Sequence, residues 1–258
     1  MTPETPRLHA IETGGGDKPP LVFLHGFDGR AEAFETIAAG FAGEGHRCLA
    51  FDLPGHGRSR DYPGFGPPKV AARAVIAALK DRGIERAHVV GHSMGGAVAC
   101  LMSLFAPELV ASLTLLAPGG FGPAIGAEPI RTVMEAPDEK SLLAALAGMT
   151  APDFTMPPEA ARSCNGPAGR EEIRHMFDLL FATGTQGVLP LEAVAATGCP
   201  IALLWGDADP VTPVSQAVDL PAAFALTRLA GVGHMLMLEA PDETIAAISR
   251  AINKGEAI

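Results

Sequence analysis

The chain has 258 residues, of which 48% are hydrophobic and 19% charged, and its formal net charge is −10 at pH 7. A chain of this length can bury a core without disulfides or a structural metal. It is too hydrophobic and too weakly charged to be disordered. The acidic balance and the absence of a basic stripe argue against nucleic acid and an anionic membrane as partners.

Neither a secretory leader nor a membrane span is predicted. Residues 1–10 lack the basic start and the apolar run of a signal peptide. The longest apolar stretch, Ala97–Ala106, is far shorter than the roughly 20 residues that a membrane helix needs. The four cysteines form no C-x-x-C pair and are expected to be free thiols: Cys48, Cys100, Cys164 and Cys199. These features predict a cytoplasmic protein.

Short apolar runs alternate along the chain with segments of helical periodicity. The apolar runs predict strands at Leu21–His25, Arg47–Asp52, His88–Gly91, Leu113–Leu116, Ile201–Trp205 and Leu226–Leu229. The periodic segments predict helices at Glu32–Ala42, Val70–Arg82, Gly95–Phe105, Val214–Leu220 and Thr244–Asn253. Several strands are apolar at consecutive positions, as in parallel sheets that are buried on both faces. The alternation predicts an α/β fold with helices on both sides of the sheet.

Residues 119–190 interrupt this alternation. They are rich in proline, glycine, alanine and methionine, and no buried strand is predicted among them. Helical stretches are predicted at Ile130–Glu135, Lys140–Ala147 and Arg170–Phe181. Because long excursions from a compact domain are usually functional, we interpret this region as a helical cap over one end of the sheet. The remaining core then comprises residues 1–118 and 191–258.

The strongest chemical signal is the pentapeptide Gly91-His92-Ser93-Met94-Gly95, which has the form G-x-S-x-G. The string alone is weak, but a predicted strand precedes it and a predicted helix follows it. A sharp strand-to-helix turn of this kind exposes a serine hydroxyl and places helix N-terminal amides beside it. The pattern therefore predicts Ser93 as a nucleophile.

A serine nucleophile needs a base, and the base needs a carboxylate that orients it. His234 is the best candidate base because it follows the last predicted strand in a glycine-bordered loop. Asp209 is the preferred acid and Asp207 the alternative, since both follow the strand Ile201–Trp205 at the edge where α/β sites lie. The order serine, acid, histidine is that of α/β-hydrolases. The backbone N–H groups of Phe27 and Met94 are the candidate oxyanion donors.

These residues identify the chain as similar to the α/β-hydrolase-fold superfamily along nearly its whole length. The matching stretches are Leu24–Phe27, Phe51–Ser59, Gly91–Gly96, Trp205–Pro213 and Gly233–Met235. The resemblance implies a mostly parallel sheet of about seven strands, the acid at Asp209, the base at His234, and a lid at the insertion. Family members usually begin with a two-stranded hairpin. Only Leu8–Glu12 precedes Leu21 here, so an edge strand is expected to be missing.

Within the superfamily, the stretches Pro118–Ile125 and Met237–Ala240 resemble the hydrolase-like domain of acetoin dehydrogenase E2 components. No lipoyl-type segment accompanies them in this sequence. Gly119–Pro123 also resembles C–C hydrolases of meta-cleavage products. Those enzymes usually carry tryptophan after the catalytic histidine and asparagine before the nucleophile, where this chain has Met235 and His92.

The sequence thus predicts a cofactor-independent serine hydrolase that acts on a small carboxylic ester through an acyl-enzyme. The alternatives are an accessory subunit of an acetoin-cleaving complex, a C–C bond hydrolase, and a non-catalytic ligand-binding protein on the same scaffold. No metal site is predicted, because no cluster of ligand residues is present. The sequence leaves a homo-oligomer open. The candidate pocket residues are His25, His92, Phe121, Met134, Met149, Phe177, Phe181 and Met235.

Overall fold

A computed structural model describes residues 7–166 and 170–257 of the chain. Within these residues, strands β1 to β7 form one sheet in the order β1-β3-β2-β4-β5-β6-β7. The strands are β1 (Ala10–Thr13), β2 (Leu21–Leu24), β3 (Cys48–Phe51), β4 (Ala87–His92), β5 (Val110–Leu116), β6 (Ile201–Gly206) and β7 (Phe224–Leu229). All neighbouring pairs are parallel except β1 with β3.

The sheet is flanked by helices, as the alternating sequence pattern predicts. The helices are α1 (Glu35–Gly43), α2 (Pro68–Lys80), α3 (Met94–Phe105), α4 (Ala127–Glu135), α5 (Glu139–Ala147), α6 (Arg170–Phe181), α7 (Leu191–Ala196), α8 (Leu236–Glu239) and α9 (Pro241–Glu256). Helix α3 packs against β4 and β5, and α9 packs against β5 and β6. The central strands β2 to β5 are buried throughout, which explains their consecutive apolar residues.

Strand β1 forms one edge of the sheet. Among the described residues, β1 alone precedes β2, and it pairs antiparallel with β3 from Ala10–Phe51 to Thr13–Cys48. Glu12 on this strand forms ion pairs with Arg47 and Arg82, both at 3.0 Å.

The helix predicted at Val214–Leu220 is wrong. Only a 3-10 turn, Val214–Gln216, forms there. Asp219 has a φ of 55°, a left-handed conformation that cannot continue a right-handed helix. Helices α7 and α8 were not predicted, because each is too short to show a helical period.

Residues 119–190 contain α4, α5 and α6 together with a 3-10 helix at Pro158–Ser163. Most of their buried apolar side chains form a second hydrophobic cluster, distinct from the cluster around the sheet. Val211 and Met235, which come from the loops after β6 and β7, belong to this second cluster. The cap assignment therefore stays a proposal, supported by a hydrophobic cluster that extends down to those two loops. No helix in the described ranges is long and apolar enough to cross a lipid bilayer.

Candidate active site

Ser93 occupies the turn between β4 and α3. Its backbone has φ 52° and ψ −119°, a conformation that non-glycine residues rarely adopt. The surrounding hydrogen bonds hold it there: the Ser93 N–H donates to the Leu116 oxygen, and its carbonyl accepts from Gly96 and Gly119, each at 2.9 Å. The strain is therefore imposed by the framework and does not depend on the serine side chain.

Glycines around the turn let strand and helix approach closely. A Cβ on Gly91 would lie 2.3 Å from the Gly95 oxygen, and one on Gly95 would lie 2.1 Å from the Leu24 oxygen. Neither position therefore accepts a side chain without a shift of the backbone. The glycines of the pentapeptide are required by this crossing of β4, β2 and α3.

His234 and Asp209 are hydrogen bonded to each other. His234 Nδ1 lies 2.8 Å from Asp209 Oδ2, and both side chains are almost wholly buried. Asp209 also accepts from the Val211 and Thr212 N–H groups and from the Thr212 hydroxyl, at 2.7 to 2.9 Å. Burial raises the pKa of the Asp209 carboxyl, but His234 and these donors outweigh it and hold that pKa below its usual value. Asp209 is thus an anionic acceptor for an Nδ1–H of His234.

Asp207, the alternative acid, makes no hydrogen bond to His234 among the described residues. Its Oδ1 accepts from the Gly231 N–H at 2.7 Å in an exposed turn. This is a turn-stabilising contact between the loops after β6 and β7.

Ser93 and His234 line one cavity of about 300 Å³. No hydrogen bond joins the Ser93 hydroxyl to the His234 ring among the described residues, a contact that often tightens only with substrate bound. Phe27 and Met94 line the same cavity, and within residues 7–166 and 170–257 neither of their N–H groups donates to a protein acceptor. Both N–H groups therefore lack a protein acceptor in these ranges, as the proposed role of oxyanion donor requires.

Two buried histidines support the loop that carries Phe27. His25 Nδ1 donates to the Gly26 oxygen at 2.7 Å, so its Nε2 is free to accept from the Leu53 N–H at 3.0 Å. His56 Nδ1 donates to the Pro54 oxygen, and its Nε2 accepts from the Asp28 N–H at 3.3 Å. Burial lowers the pKa of both rings, that of His56 to about 3. Both rings are neutral at pH 7, as acceptors of N–H bonds must be.

His92, the residue before Ser93, contacts the candidate base directly. Its Nε2–H donates to the His234 backbone oxygen at 2.9 Å, and the two ring centroids are 4.7 Å apart. Burial, followed by the charge that His234 can carry, lowers the pKa of His92 to about 3. His92 thus remains a neutral donor.

The structure places the expected pocket residues in two groups. His25, His92, Met149, Phe181 and Met235 line the cavity.

Three candidate pocket residues are not among the residues that line this cavity. Phe121 lies in the core of the sheet domain, where its ring packs edge-on against Trp205 and Phe224. Met134 and Phe177 are buried in the second hydrophobic cluster. Aromatic and methionine side chains in the insertion were candidates either for the pocket lining or for packing, and these three pack inside the hydrophobic clusters.

Sequence reasoning missed several residues that the structure brings to the site. Thr212 donates to Asp209, and its hydroxyl is 3.4 Å from His234 Nδ1. Gln186 lines the cavity and accepts from the Gly120 N–H at 3.0 Å. Glu239 accepts from the backbone on both sides of His234. The signals available were a threonine three residues after Asp209 and an acid five residues after His234. No group of three or more potential metal ligands converges within the described ranges.

Comparison with known protein families matches residues 21–247 to the alpha/beta hydrolase family. The chain belongs to this family. Among solved structures, the hydrolase-family fold resembles a meta-cleavage product hydrolase from Pseudomonas fluorescens, with a TM-score of 0.78, 19% identity, and 97% and 95% of the two chains covered. This similarity concerns the fold alone.

Two curated relatives of this hydrolase-family chain agree with the resemblances noted in its sequence. It is 31% identical over 92% of its length to the dihydrolipoyllysine-residue acetyltransferase component of the acetoin cleaving system of Pseudomonas putida. The match spans 64% of that relative's length. It is 40% identical to a 2-hydroxy-6-oxononadienedioate/2-hydroxy-6-oxononatrienedioate hydrolase of Paraburkholderia phymatum, over 46% of this chain and 42% of the relative.

Proposed function

We propose that this alpha/beta hydrolase-family chain is a cofactor-independent serine hydrolase that cleaves small carboxylic esters through an acyl-enzyme. The observation that carries the proposal is the hydrogen bond between His234 Nδ1 and Asp209 Oδ2, at the cavity that a backbone-strained Ser93 also lines. The bond orients the ring so that its Nε2 is the atom left to accept a proton from serine.

In the proposed reaction, Ser93 Oγ attacks the ester carbonyl carbon while His234 Nε2 takes the hydroxyl proton. The oxygen that becomes negative is held by the N–H groups of Phe27 and Met94. Collapse of the intermediate expels the alcohol, which leaves with the proton from His234. A water molecule then attacks the acyl carbon while His234 takes its proton. The bond between the acyl carbon and Ser93 Oγ breaks, His234 returns the proton to Oγ, and the acid leaves. Asp209 stays ionised and stabilises the imidazolium formed twice in each turnover.

The lining of the cavity favours an uncharged acyl group. Apolar side chains dominate the wall, among them Ile125, Ile130, Val133, Leu146, Met149, Leu180 and Val211. The charged residues among the described lining are Asp28 and Lys69, and Lys69 is exposed. A cavity of about 300 Å³ matches the lower end of small-molecule sites.

C–C bond hydrolysis is the second candidate, favoured by the curated relative from Paraburkholderia phymatum. A non-catalytic binding role on the same scaffold is a third. Membership of an acetoin-cleaving complex rests on the relative from Pseudomonas putida and is a separate proposal about partners. A cytoplasmic location, expected from the free cysteines, remains a prediction.

The test compares the full chain with its Ser93→Ala variant on p-nitrophenyl esters of increasing acyl length and on a vinylogous diketone. A fluorophosphonate probe then reports which residue is labelled, read by peptide mass. We expect ester turnover and labelling at Ser93, both abolished in the variant. Faster cleavage of the diketone would favour the C–C hydrolase. Neither turnover nor labelling in the folded wild-type chain would favour the binding role and overturn the proposal.

A further inference from the structure

Glu239 accepts hydrogen bonds from three backbone amides around the proposed base. Its Oε2 accepts from the N–H groups of Gly233 at 2.7 Å and Ala151 at 2.8 Å, and its Oε1 accepts from that of Met235 at 2.8 Å. Gly233 and Met235 flank His234 in the sequence, whereas Ala151 lies in the insertion, shortly after α5. One carboxylate therefore connects the loop that carries His234 to the insertion.

The two backbone segments also touch without an intervening side chain. The His234 N–H donates to the Met149 oxygen at 2.9 Å. A Cβ on Gly233 would lie 2.6 Å from the carbonyl carbon of Thr150. Residues 149–151 and 233–235 are thus joined by one direct hydrogen bond and by the carboxylate of Glu239.

We propose that Glu239 is a positioning residue that sets the backbone of His234 and couples residues 149–151 of the insertion to it. The inference rests on the proposed function, because it assigns His234 as the base. An ionised acceptor makes shorter and stronger hydrogen bonds than a neutral one, so three amides are held by a single charged group.

The chemistry explains why this backbone has to be held. His234 must serve two oxygen atoms in turn, that of Ser93 and that of the leaving alcohol or the water. Its Nδ1 is fixed by Asp209, so the remaining freedom lies in the position of its backbone. A displacement of about 1 Å can cost about a hundredfold in rate. Glu239 fixes the amides on both sides of the residue, and His92 holds its carbonyl oxygen.

Glu239→Gln tests the proposal, because it keeps the shape and removes one acceptor oxygen. The amide nitrogen of the glutamine cannot accept a hydrogen bond. It must replace either the oxygen that accepts from the Met235 N–H or the oxygen that accepts from the N–H groups of Gly233 and Ala151. Glu243→Gln is the matched control, since it removes the same charge from an exposed position at the start of α9. The readouts are kcat and KM for a p-nitrophenyl ester, melting temperature, and hydrogen exchange of peptides that cover residues 149–151 and 233–235.

We expect Glu239→Gln to lower kcat at least about tenfold while KM changes less than about threefold, since Glu239 itself does not line the cavity. Exchange should accelerate in both segments, and Glu243→Gln should match the wild type in every readout. Wild-type kcat with unchanged exchange would overturn the proposal, and a lower melting temperature with wild-type kcat would reduce Glu239 to a structural role.

Glu239→Asp serves if the glutamine variant does not fold. It keeps the charge but is one methylene too short to reach all three amides, so kcat should again fall, and a wild-type kcat would contradict the proposal. Failure of this inference is distinguishable from failure of the proposed function. In the first case the wild type turns over and Ser93→Ala does not, whereas in the second the wild type itself is inactive.

Discussion

The Nε2–H of His92 donates to the backbone oxygen of His234 at 2.9 Å, so the residue before the nucleophile supports the residue that would activate it. Replacing His92 by leucine leaves that buried oxygen without its donor, which costs about 1–3 kcal/mol of unfolding free energy. We expect His92→Leu to lower both the urea midpoint and kcat.

His92→Gln is the matched variant, because its side-chain amide can supply a donor at a similar distance from the backbone. It should recover most of the urea midpoint and part of kcat. Equal midpoints for the leucine variant and the wild type would show that the hydrogen bond does not stabilise the loop.

Substitution of each of the two aspartates after β6 should distinguish a catalytic carboxylate from a structural one. Asp209→Asn keeps the size of the side chain but removes the charge that stabilises an imidazolium, and it favours the wrong ring tautomer. We expect kcat to fall at least about a hundredfold. Asp207→Asn changes an exposed turn contact with Gly231 and should keep kcat within about twofold. Similar losses in both variants, measured on the same ester, would contradict the assignment of the acid.

Local sequence patterns were enough to predict the sheet and the Ser93 turn. Consecutive apolar residues indicated five of the six parallel strands to within two residues at either end. The exception is β5, which begins three residues before its predicted start. The strand–Ser93–helix context is local as well, because the turn and its glycines are adjacent in the chain.

Contacts between distant segments could not be predicted in this way. Glu239 reaches Ala151 across 88 positions, and no local pattern reports that distance. Phe121 was expected to face the pocket because it lies in the insertion, but its position against Trp205 depends on how the chain leaves β5. Features set by neighbouring residues in the chain could therefore be predicted, whereas contacts between segments that are distant in the sequence could not.

Acid should destabilise the fold through His88, which is buried at the start of β4. Burial lowers its pKa to about 4, and its Nε2 has no hydrogen-bond partner among the described residues. Its unfolded pKa is about 6.5, so the unfolded chain takes up the proton first as pH falls. His88 therefore leaves the unfolding free energy unchanged above about pH 6.5 and lowers it progressively between there and about pH 4.

Urea unfolding at pH 7.5 and pH 5.0 checks this prediction. His88→Gln should lose about 2 kcal/mol less than the wild type between the two pH values. His175→Gln, at an exposed position in α6, is the control and should follow the wild type. Parallel behaviour of His88→Gln and the wild type would exclude His88 as a source of acid sensitivity.

Two glycine substitutions test the crowding at the Ser93 turn. Gly95→Ala would place a Cβ 2.1 Å from the Leu24 oxygen, so the backbone must move and the folded yield should collapse. Gly40→Ala, in helix α1, meets nothing within 4 Å and should raise the unfolding free energy by about 0.5–1 kcal/mol. Melting temperatures of the two purified variants decide the matter, and a stable Gly95→Ala protein would contradict the close approach.

The left-handed backbone of Ser93 also has a consequence for selection. Glycine adopts φ 52° without the cost that serine incurs, and the hydrogen bonds that hold the turn come from the backbone alone. The residue that carries the proposed chemistry is therefore one at which the fold is less stable than it could be. A laboratory search for heat-resistant variants that did not also measure turnover would enrich glycine at position 93 and recover robust but inert proteins.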